Sequence, residues 1–137
     1  MGASGRPLNA PERQLVRAAQ QALRRGYRAQ RHTVASAVRT RSGKIYLGLN
    51  IEGIHGPCAE PVALGAAMTA GDESFVAMVA VCRVGRNYPV LNPCGTCRQL
   101  LFEYAPRARV LVVADSDGRL ASLSATESLP APFRTFG

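Results

Sequence analysis

Phe-Val-Ala-Met-Val-Ala-Val-Cys-Arg-Val, residues 75–84, is the stretch that decides the fold. It is a nearly continuous apolar run, as expected of a strand that is covered on both faces. A helical pattern lies on either side of it, at Cys58–Ala70 and at Cys94–Tyr104. Pro61 is compatible with the first of these helices, because an N–H group in the first turn has no helical partner. The sequence therefore predicts a central strand between two helices.

The N-terminal third adds a helix and a hairpin. Asn9 followed by Pro11 and Glu12 is typical of a helix start, and apolar residues then recur at helical spacing up to Gly26. Two β-prone runs follow, at residues 33–40 and 44–49, with a short Arg-Ser-Gly connection between them. This pattern predicts two antiparallel strands.

The C-terminal third predicts two more strands. Residues 108–114 form a second buried apolar run, and apolar positions at 120–123 follow a short Asp-Ser-Asp-Gly link. The link is too short for a crossover helix, so the last strand should run antiparallel. The series predicts a three-layer α/β fold with a mixed five-stranded central sheet. We expect residues 1–137 to form one domain, because this length and 47% hydrophobic content suit a single core.

The sequence predicts the cellular location of the protein and the redox state of its cysteines. No apolar stretch approaches the roughly 20 residues that span a bilayer, so no membrane partner is expected. The first ten residues lack the apolar centre of a secretion signal, which predicts a cytoplasmic protein. Four cysteines could form two disulfides, but the substantial core and the missing export signal favour reduced thiols that are free for metal binding or catalysis.

The formal net charge of +8 comes from sixteen arginines, one lysine and nine acidic residues, and it raises the question of a nucleic-acid partner. Many of the arginines lie on the first helix and its exit, namely Arg13, Arg17, Arg24, Arg25, Arg28 and Arg31. The others are scattered without interleaved aromatic residues. This distribution favours a solvated helix face over a polyanion-binding surface.

Two cysteine motifs open the two helices beside the central strand. Cys58-Ala59-Glu60 begins one, and Pro93-Cys94-Gly95-Thr96-Cys97 begins the other. Helices that follow parallel strands start at the carboxyl ends of those strands, where open α/β sheets place their sites. Cys94 and Cys97 are three residues apart and share a helix face. Together with Cys58 they predict a three-cysteine Zn²⁺ site with a fourth position left for water.

Glu60 gains a role from this arrangement. Zinc lowers the pKa of bound water, and a carboxylate that is not a ligand can accept the proton and pass it to a leaving amine. A Cys-x-Glu triplet followed by Pro-Cys-x-x-Cys is typical of zinc-dependent nucleobase deaminases. A redox pair, or a structural zinc closed by His55, is the alternative interpretation of the cysteines, but it leaves Glu60 unexplained. Cys82 is expected to be a buried core thiol, and His32 has no evident partner.

The chain resembles the cytidine deaminase family, including its blasticidin-type branch, over nearly its whole length. The matching segments are Val34-Ala35-Ser36-Ala37, Gly56-Pro57-Cys58-Ala59-Glu60, Pro93-Cys94-Gly95-Thr96-Cys97-Arg98-Gln99 and Asp115-Ser116-Asp117-Gly118. The resemblance implies Cys58, Cys94 and Cys97 as zinc ligands, Glu60 as the proton shuttle, and a homotetramer. It also implies that Asn50 and Glu52 match a family Asn-x-Glu pair that binds ribose hydroxyls.

The chain departs from the family pattern in several places. It has no phenylalanine before Phe75, whereas cytidine deaminases pack one on the base, and its short loop at residues 53–57 is similar to the blasticidin branch. Relatives also carry an arginine next to the metal site, where this chain has Pro61 or Thr96. Arg98 and the positive ends of the two helices are the candidates for offsetting the thiolate charge.

The predicted function is zinc-dependent hydrolytic deamination of the cytosine ring in a free nucleoside, either cytidine, deoxycytidine or an antibiotic such as blasticidin S. One alternative is a deaminase acting on cytosine or adenine in a polynucleotide. The predicted antiparallel last strand argues against it, because it resembles the arrangement of free-nucleoside deaminases. The other is a zinc-stabilised binding module without turnover. The aromatic C-terminal tail, residues 132–137, is expected at or beside an active site that subunits share.

Overall fold

The computed structural model describes residues 5–135, which form three helices and five strands. The helices are α1 (Ala10–Gly26), α2 (Ala59–Thr69) and α3 (Gly95–Tyr104). The strands are β1 (Val34–Thr40), β2 (Ile45–Leu49), β3 (Phe75–Cys82), β4 (Arg109–Val113) and β5 (Leu120–Ser124). Each predicted helix and strand is present, with bounds that differ by a few residues at most.

The five strands form one mixed sheet in the order β2-β1-β3-β4-β5. β3 is the central strand, as its apolar run predicts. It pairs in parallel with β4 and antiparallel with β1, while β1–β2 and β4–β5 are antiparallel hairpin pairs. The antiparallel last strand is therefore confirmed. The parallel pair β3–β4 brackets α3, so α3 begins at the carboxyl end of β3.

Two apolar clusters lie on opposite faces of the sheet. On one face, α1 packs through Leu15, Ala19 and Leu23 against alternate residues of β1 and β3. On the other face, α2 and α3 pack through Leu64 and Leu101 against the intervening residues of those strands. The alternation follows from the period of two along a strand. The three-layer α/β architecture is confirmed.

The start of α1 is fixed by a capping box. The backbone N–H of Glu12 donates to the Asn9 side chain at 2.9 Å, and the backbone N–H of Asn9 donates to the Glu12 carboxylate at 3.0 Å. Arg6 also donates two hydrogen bonds of 2.8 Å to the same carboxylate.

None of the three helices within residues 5–135 has both the length and the apolar character of a membrane-spanning segment.

Candidate metal centre and active site

Cysteines occupy equivalent positions at the starts of α2 and α3. Cys58 is the N-cap of α2 and Cys94 is the N-cap of α3, with nearly the same backbone conformation (φ −63°, ψ 169° and φ −68°, ψ 169°). Neither side chain makes a capping hydrogen bond of regular geometry to its own helix, although the backbone N–H groups of Thr96 and Cys97 lie close to the Cys94 sulfur. Both sulfurs therefore remain directed at a shared space between the two helix starts.

The third sulfur comes from the first turn of α3. Cys97 is fully buried, and its Sγ lies 3.5 Å from that of Cys94, which in turn lies 4.0 Å from the Sγ of Cys58. All three sulfurs are within 4.8 Å of one another. Tetrahedral zinc with bonds of about 2.3 Å places two sulfurs about 3.8 Å apart, so the three thiols fit zinc in type and spacing. The predicted alternative in which His55 closes the site is wrong, since His55 lies on an exposed loop outside this cluster.

The three thiols differ in acidity. Burial raises the pKa of Cys94, but hydrogen bonds from the backbone N–H groups of Cys97 and Thr96 and from the neighbouring thiols outweigh it, and the pKa ends below its ordinary value. Burial raises the pKa of Cys58 and, more strongly, that of Cys97, where the charge of Glu60 adds to the effect. A bound divalent cation deprotonates its coordinating thiols outright, so these values are compatible with a metal site.

Glu60 lies beside the sulfur cluster without belonging to it. It is the second residue of α2, two positions after Cys58, and only 4% of its surface is exposed. Burial raises the pKa of its carboxyl, and this shift is partly opposed by its own backbone N–H and by the Cys97 thiol. A buried carboxyl held next to three thiols is positioned to exchange a proton with a group at the cluster.

Two glycines allow the chain to approach this site closely. A Cβ on Gly48 of β2 would lie 2.4 Å from the backbone nitrogen of Ala63 and 2.8 Å from the carbonyl oxygen of Ala59. The first turns of α2 therefore rest directly on the β2 backbone, which sets the position of Glu60. A Cβ on Gly56 would lie 1.7 Å from the carbonyl oxygen of Ile51, so only glycine fits the tight loop before Cys58.

One cavity of about 310 Å³ joins the predicted catalytic and substrate-binding residues. Glu60, Cys58 and Cys94 line one part of it, and Asn50 and Glu52 line another. Its volume is at the lower end of the range for small-molecule sites. Larger cavities occur elsewhere on the molecule, but this one is lined by two of the three thiols, those of Cys58 and Cys94.

Asn50 is held rigidly by the segment before β1. Its Oδ1 accepts hydrogen bonds from the backbone N–H groups of Thr33 and Val34 at 2.7 and 3.0 Å, and its carbonyl oxygen lies 2.8 Å from Nδ1 of His32. Its Nδ2 donates to Oγ1 of Thr33 at 3.3 Å and to Oε2 of Glu52 at 3.4 Å, so Nδ2 is the Asn50 atom that lies beside the Glu52 carboxylate. No partner for His32 is evident in the sequence, and the structure supplies Asn50 because the Arg28–His32 turn folds back onto the end of β2.

Asn92 is a cavity residue that the sequence reasoning missed. Its Nδ2 donates to the carbonyl oxygen of Val113 at 3.2 Å, and the backbone N–H of Val113 donates to its Oδ1 at 2.7 Å. These two bonds tie the loop before α3 to the end of β4. The Asn-Pro pair at residues 92–93 was an available signal, because it marks a turn just before the helix that begins at Cys94.

Arg98 makes no hydrogen bond to the thiols among the described residues. Its Nη1 donates to the carbonyl oxygen of Ser128 at 2.8 Å, and its Nε is buried without a hydrogen-bond partner among residues 5–135. The sulfur of Cys94 is stabilised by backbone N–H groups in the first turn of α3 instead. Cys82 also differs from expectation, since it is only partly buried at the end of β3.

The C-terminal segment lies against α3. The Gln99 side chain exchanges two hydrogen bonds with the backbone of Phe133, at 3.0 and 3.1 Å, and the Arg134 guanidinium lies 4.9 Å from the centre of the Phe102 ring. Phe133 itself is 70% exposed. The last two residues of the predicted tail, Phe136 and Gly137, lie outside the described residues.

Comparison with known proteins agrees with this fold and site. Residues 10–114 match the family model described as "Cytidine and deoxycytidylate deaminase zinc-binding region". The chain is 34% identical to the blasticidin-S deaminase of Bacillus cereus over 128 residues, which cover 88% of this chain and 90% of that protein. It is 32% identical to a cytidine deaminase of Halalkalibacterium halodurans over 106 residues, or 75% and 78% of the two chains.

Solved structures with a similar fold include members of the same family. The crystal structure of cytidine deaminase from Burkholderia pseudomallei superposes with a TM-score of 0.72 at 29% identity, covering 92% of this chain and all of that one. Cytidine deaminase from Mycobacterium tuberculosis gives 0.70 at 28% identity, covering 90% and 97%. Fold and site thus define a zinc-binding α/β deaminase. The chain belongs to the cytidine and deoxycytidylate deaminase family.

Proposed function

We propose that this protein is a zinc-dependent hydrolase that converts the cytosine ring of a free nucleoside to a uracil-type ring and releases ammonia. The observation that carries the proposal is the placement of the buried Glu60 carboxyl beside three thiols, in the same cavity as Asn50 and Glu52. Cys58, Cys94 and Cys97 would hold the zinc. Each helix start contributes the cysteine at its N-cap, and the spacing of the sulfurs suits a tetrahedral ion.

Bound zinc would supply an acidified water at its fourth position. The chain supplies the proton transfers. Glu60 accepts one proton from the attacking water and passes it to N3 of the ring, and it then carries the second water proton from the new C4 hydroxyl to the departing amine. The new bond joins the water oxygen to C4 of the ring, and the bond that breaks joins C4 to the exocyclic nitrogen. Since Glu60 ends the cycle in the state in which it began, no further acid or base is required.

Asn50 and Glu52 would hold the sugar. Because Oδ1 of Asn50 is occupied by two backbone N–H groups, the hydroxyl must accept a hydrogen bond from Nδ2 of Asn50 and donate one to the Glu52 carboxylate. Donor and acceptor lie 3.4 Å apart, so a single sugar hydroxyl can contact both. This arrangement favours substrates that carry a free hydroxyl on that side of the sugar.

The substrate within the cytosine nucleosides is the finer part of the proposal. The presence of Glu52 supports a ribose-type substrate. The similarity to blasticidin-S deaminase, which extends over 88% of this chain, supports an antibiotic nucleoside instead. Ammonia release measured in parallel from cytidine, deoxycytidine and blasticidin S tests both. Turnover of any of the three supports the deaminase, and the ratio of the kcat/KM values identifies the substrate. Zinc-loaded protein inactive on all three would favour a zinc-stabilised binding module instead.

A free nucleoside is a better fit than cytosine or adenine in a polynucleotide. The link at residues 115–118 joins β4 directly to an antiparallel β5, and Arg119 donates back to Asp115 across it at 3.1 Å. By family resemblance, nucleic-acid deaminases insert a helix at this point. A cytosine-containing oligonucleotide assayed beside cytidine checks this choice, and faster deamination of the oligonucleotide would reverse it.

We also propose a cytoplasmic homotetramer. Three reduced cysteine ligands suit a reducing compartment. Ile54 is 97% exposed at the tip of the loop before Cys58, and Ile51 is exposed in the same loop. Leu47 is exposed on β2, which is an edge strand of the sheet within residues 5–135. Exposed apolar residues beside an active site mark a contact surface. Light scattering on the eluted protein tests the assembly, and a monomeric mass would refute it.

A further inference from the structure

Two acid-free segments meet in space near the active-site edge of the sheet. No acidic residue occurs between Glu12 and Glu52, nor between Glu73 and Glu103. The last turn and exit of α1 lie in the first segment, and the loop after β3 lies in the second. All of the arginines in these two regions are exposed. Positive charge therefore collects where the two segments touch.

The contact between the segments is a reciprocal pair of arginine–tyrosine stacks. The Arg24 guanidinium of α1 lies 5.0 Å from the centre of the Tyr88 ring, and the Arg83 guanidinium lies 4.5 Å from the centre of the Tyr27 ring. Each segment contributes one arginine and one tyrosine. Gln20 adds a hydrogen bond of 2.9 Å to the carbonyl oxygen of Tyr88. These contacts place the two guanidinium groups over the tyrosine rings at the surface.

We name this the arginine–tyrosine surface, formed by Arg24, Tyr27, Arg28, Arg83, Arg86 and Tyr88. Tyr27 lies between Arg25 and Arg28 in the sequence and Tyr88 follows Arg86, but the pairing of each tyrosine with an arginine of the other segment is visible only in the folded chain. The two ion pairs found among residues 5–135 are Arg6–Glu12 and Arg119–Asp115, so no carboxylate neutralises this surface. The charge is available to an external anion.

We propose that the arginine–tyrosine surface binds single-stranded nucleic acid. Four exposed arginines exceed what one phosphate needs and match a chain of phosphates. The outer faces of the stacked guanidinium groups offer flat platforms on which unpaired bases stack. This binding is separate from the proposed deamination, because it requires neither zinc nor a cytosine base.

Fluorescence anisotropy with a labelled oligouridylate of about 12 nucleotides tests the proposal without deamination of the probe. If four phosphates are neutralised, log K should fall with log salt at a slope of about −3, so the affinity drops about 50-fold between about 50 and 200 mM salt. A single strand should bind more tightly than a duplex of equal length. Equal or tighter duplex binding would refute the stacking argument.

Two variants with the same loss of charge distinguish binding by the arginine–tyrosine surface from binding that depends on net charge alone. Replacing Arg24, Arg28, Arg83 and Arg86 with Gln should weaken binding at least tenfold. A control that replaces four exposed basic residues elsewhere, Arg17, Arg41, Lys44 and Arg107, loses the same charge and should bind as the wild type within about twofold. Equal losses in the two variants would overturn the proposal, because binding would then follow net charge alone.

Two milder variants guard against loss of binding through misfolding, and a vesicle assay distinguishes nucleic acid from a membrane surface. Replacing only Arg28 and Arg86 touches neither stack, and it should still flatten the salt slope by about 1.4. Replacing Arg24 and Arg83 with Lys keeps the charge but removes the planar group, so affinity should fall while the slope stays. Binding to phosphatidylserine vesicles without binding to the oligonucleotide would overturn the proposal in favour of a membrane surface.

Discussion

Cys58 and Cys94 occupy the N-cap positions of two different helices, and their sulfur atoms lie 4.0 Å apart. A metal held between them links α2 to α3 across the carboxyl end of β3. Folding and metal binding should therefore be coupled, because the ligands come together only in the folded chain. This relationship leads to the first prediction.

Freshly purified protein should contain about one zinc per chain. Cys94→Ala should lose most of the metal and lower the melting temperature, while Cys82→Ala should change neither zinc content nor activity strongly, since Cys82 lies outside the cluster. Metal analysis and thermal unfolding measure both effects. Full zinc retention in Cys94→Ala would show that the ligand assignment is wrong.

Glu60→Gln should keep zinc and fold while turnover falls by about 10²- to 10⁴-fold, the usual contribution of general acid–base catalysis. Glutamine preserves the size of this buried side chain but cannot carry the proton. Glu73→Gln is the matched control, because Glu73 lies just before β3, whereas the thiols lie beyond the opposite, carboxyl end of that strand. Near-normal kcat in Glu60→Gln would remove Glu60 from the mechanism.

Asn50 and Glu52 should respond differently to substitution. Asn50→Ala leaves the backbone N–H groups of Thr33 and Val34 without their acceptor, so the free energy of unfolding should drop by about 1–3 kcal/mol along with activity. Glu52→Gln should leave stability unchanged and lower kcat/KM for cytidine. Denaturant unfolding and kinetics on cytidine and its 3′-deoxy analogue separate the two roles. Equal use of both nucleosides by the wild type would contradict the hydroxyl contact.

Acid should weaken the anchorage of α1. Burial alone would raise the pKa of Glu12, but hydrogen bonds from Arg6, Asn9 and Ser122 hold it below its ordinary value. The resulting stability is complete above the unfolded-state pKa of about 4.3 and is lost as pH falls through the lower folded-state pKa. Glu12→Gln should therefore be less stable than the wild type at pH 7, and the difference should shrink below about pH 4. A difference independent of pH would exclude this ionised network.

The sequence predicted most of the fold and the site because both follow local signals. Apolar runs marked β3 and β4, and the spacing of Cys94 and Cys97 marked a shared helix face. The contacts that were missed join distant segments. His32 meets Asn50, and Arg83 meets Tyr27, only after tertiary packing brings loops together, and no periodicity in the chain encodes such pairs. The hydrogen bond from Arg98 to Ser128 was not predicted for the same reason, since it depends on where the C-terminal segment lies.

The C-terminal segment gives the last prediction. Gln99 lies two residues after the predicted ligand Cys97, and it fixes the backbone of Phe133 while leaving that ring 70% exposed. An exposed aromatic ring on a fixed backbone is suited to contact a neighbouring subunit, which agrees with the proposed tetramer and a shared active site. Deleting residues 132–137 should raise KM or abolish turnover and reduce tetramer content, while zinc stays near one per chain because no ligand is removed. Phe133→Ala should reproduce part of the effect with the backbone contacts to Gln99 intact. Thr135→Ala serves as the control and should behave as the wild type. Kinetics, metal analysis and light scattering on the same preparations measure the three quantities, and a truncated protein that remains a fully active tetramer would show that the tail has no part in the site.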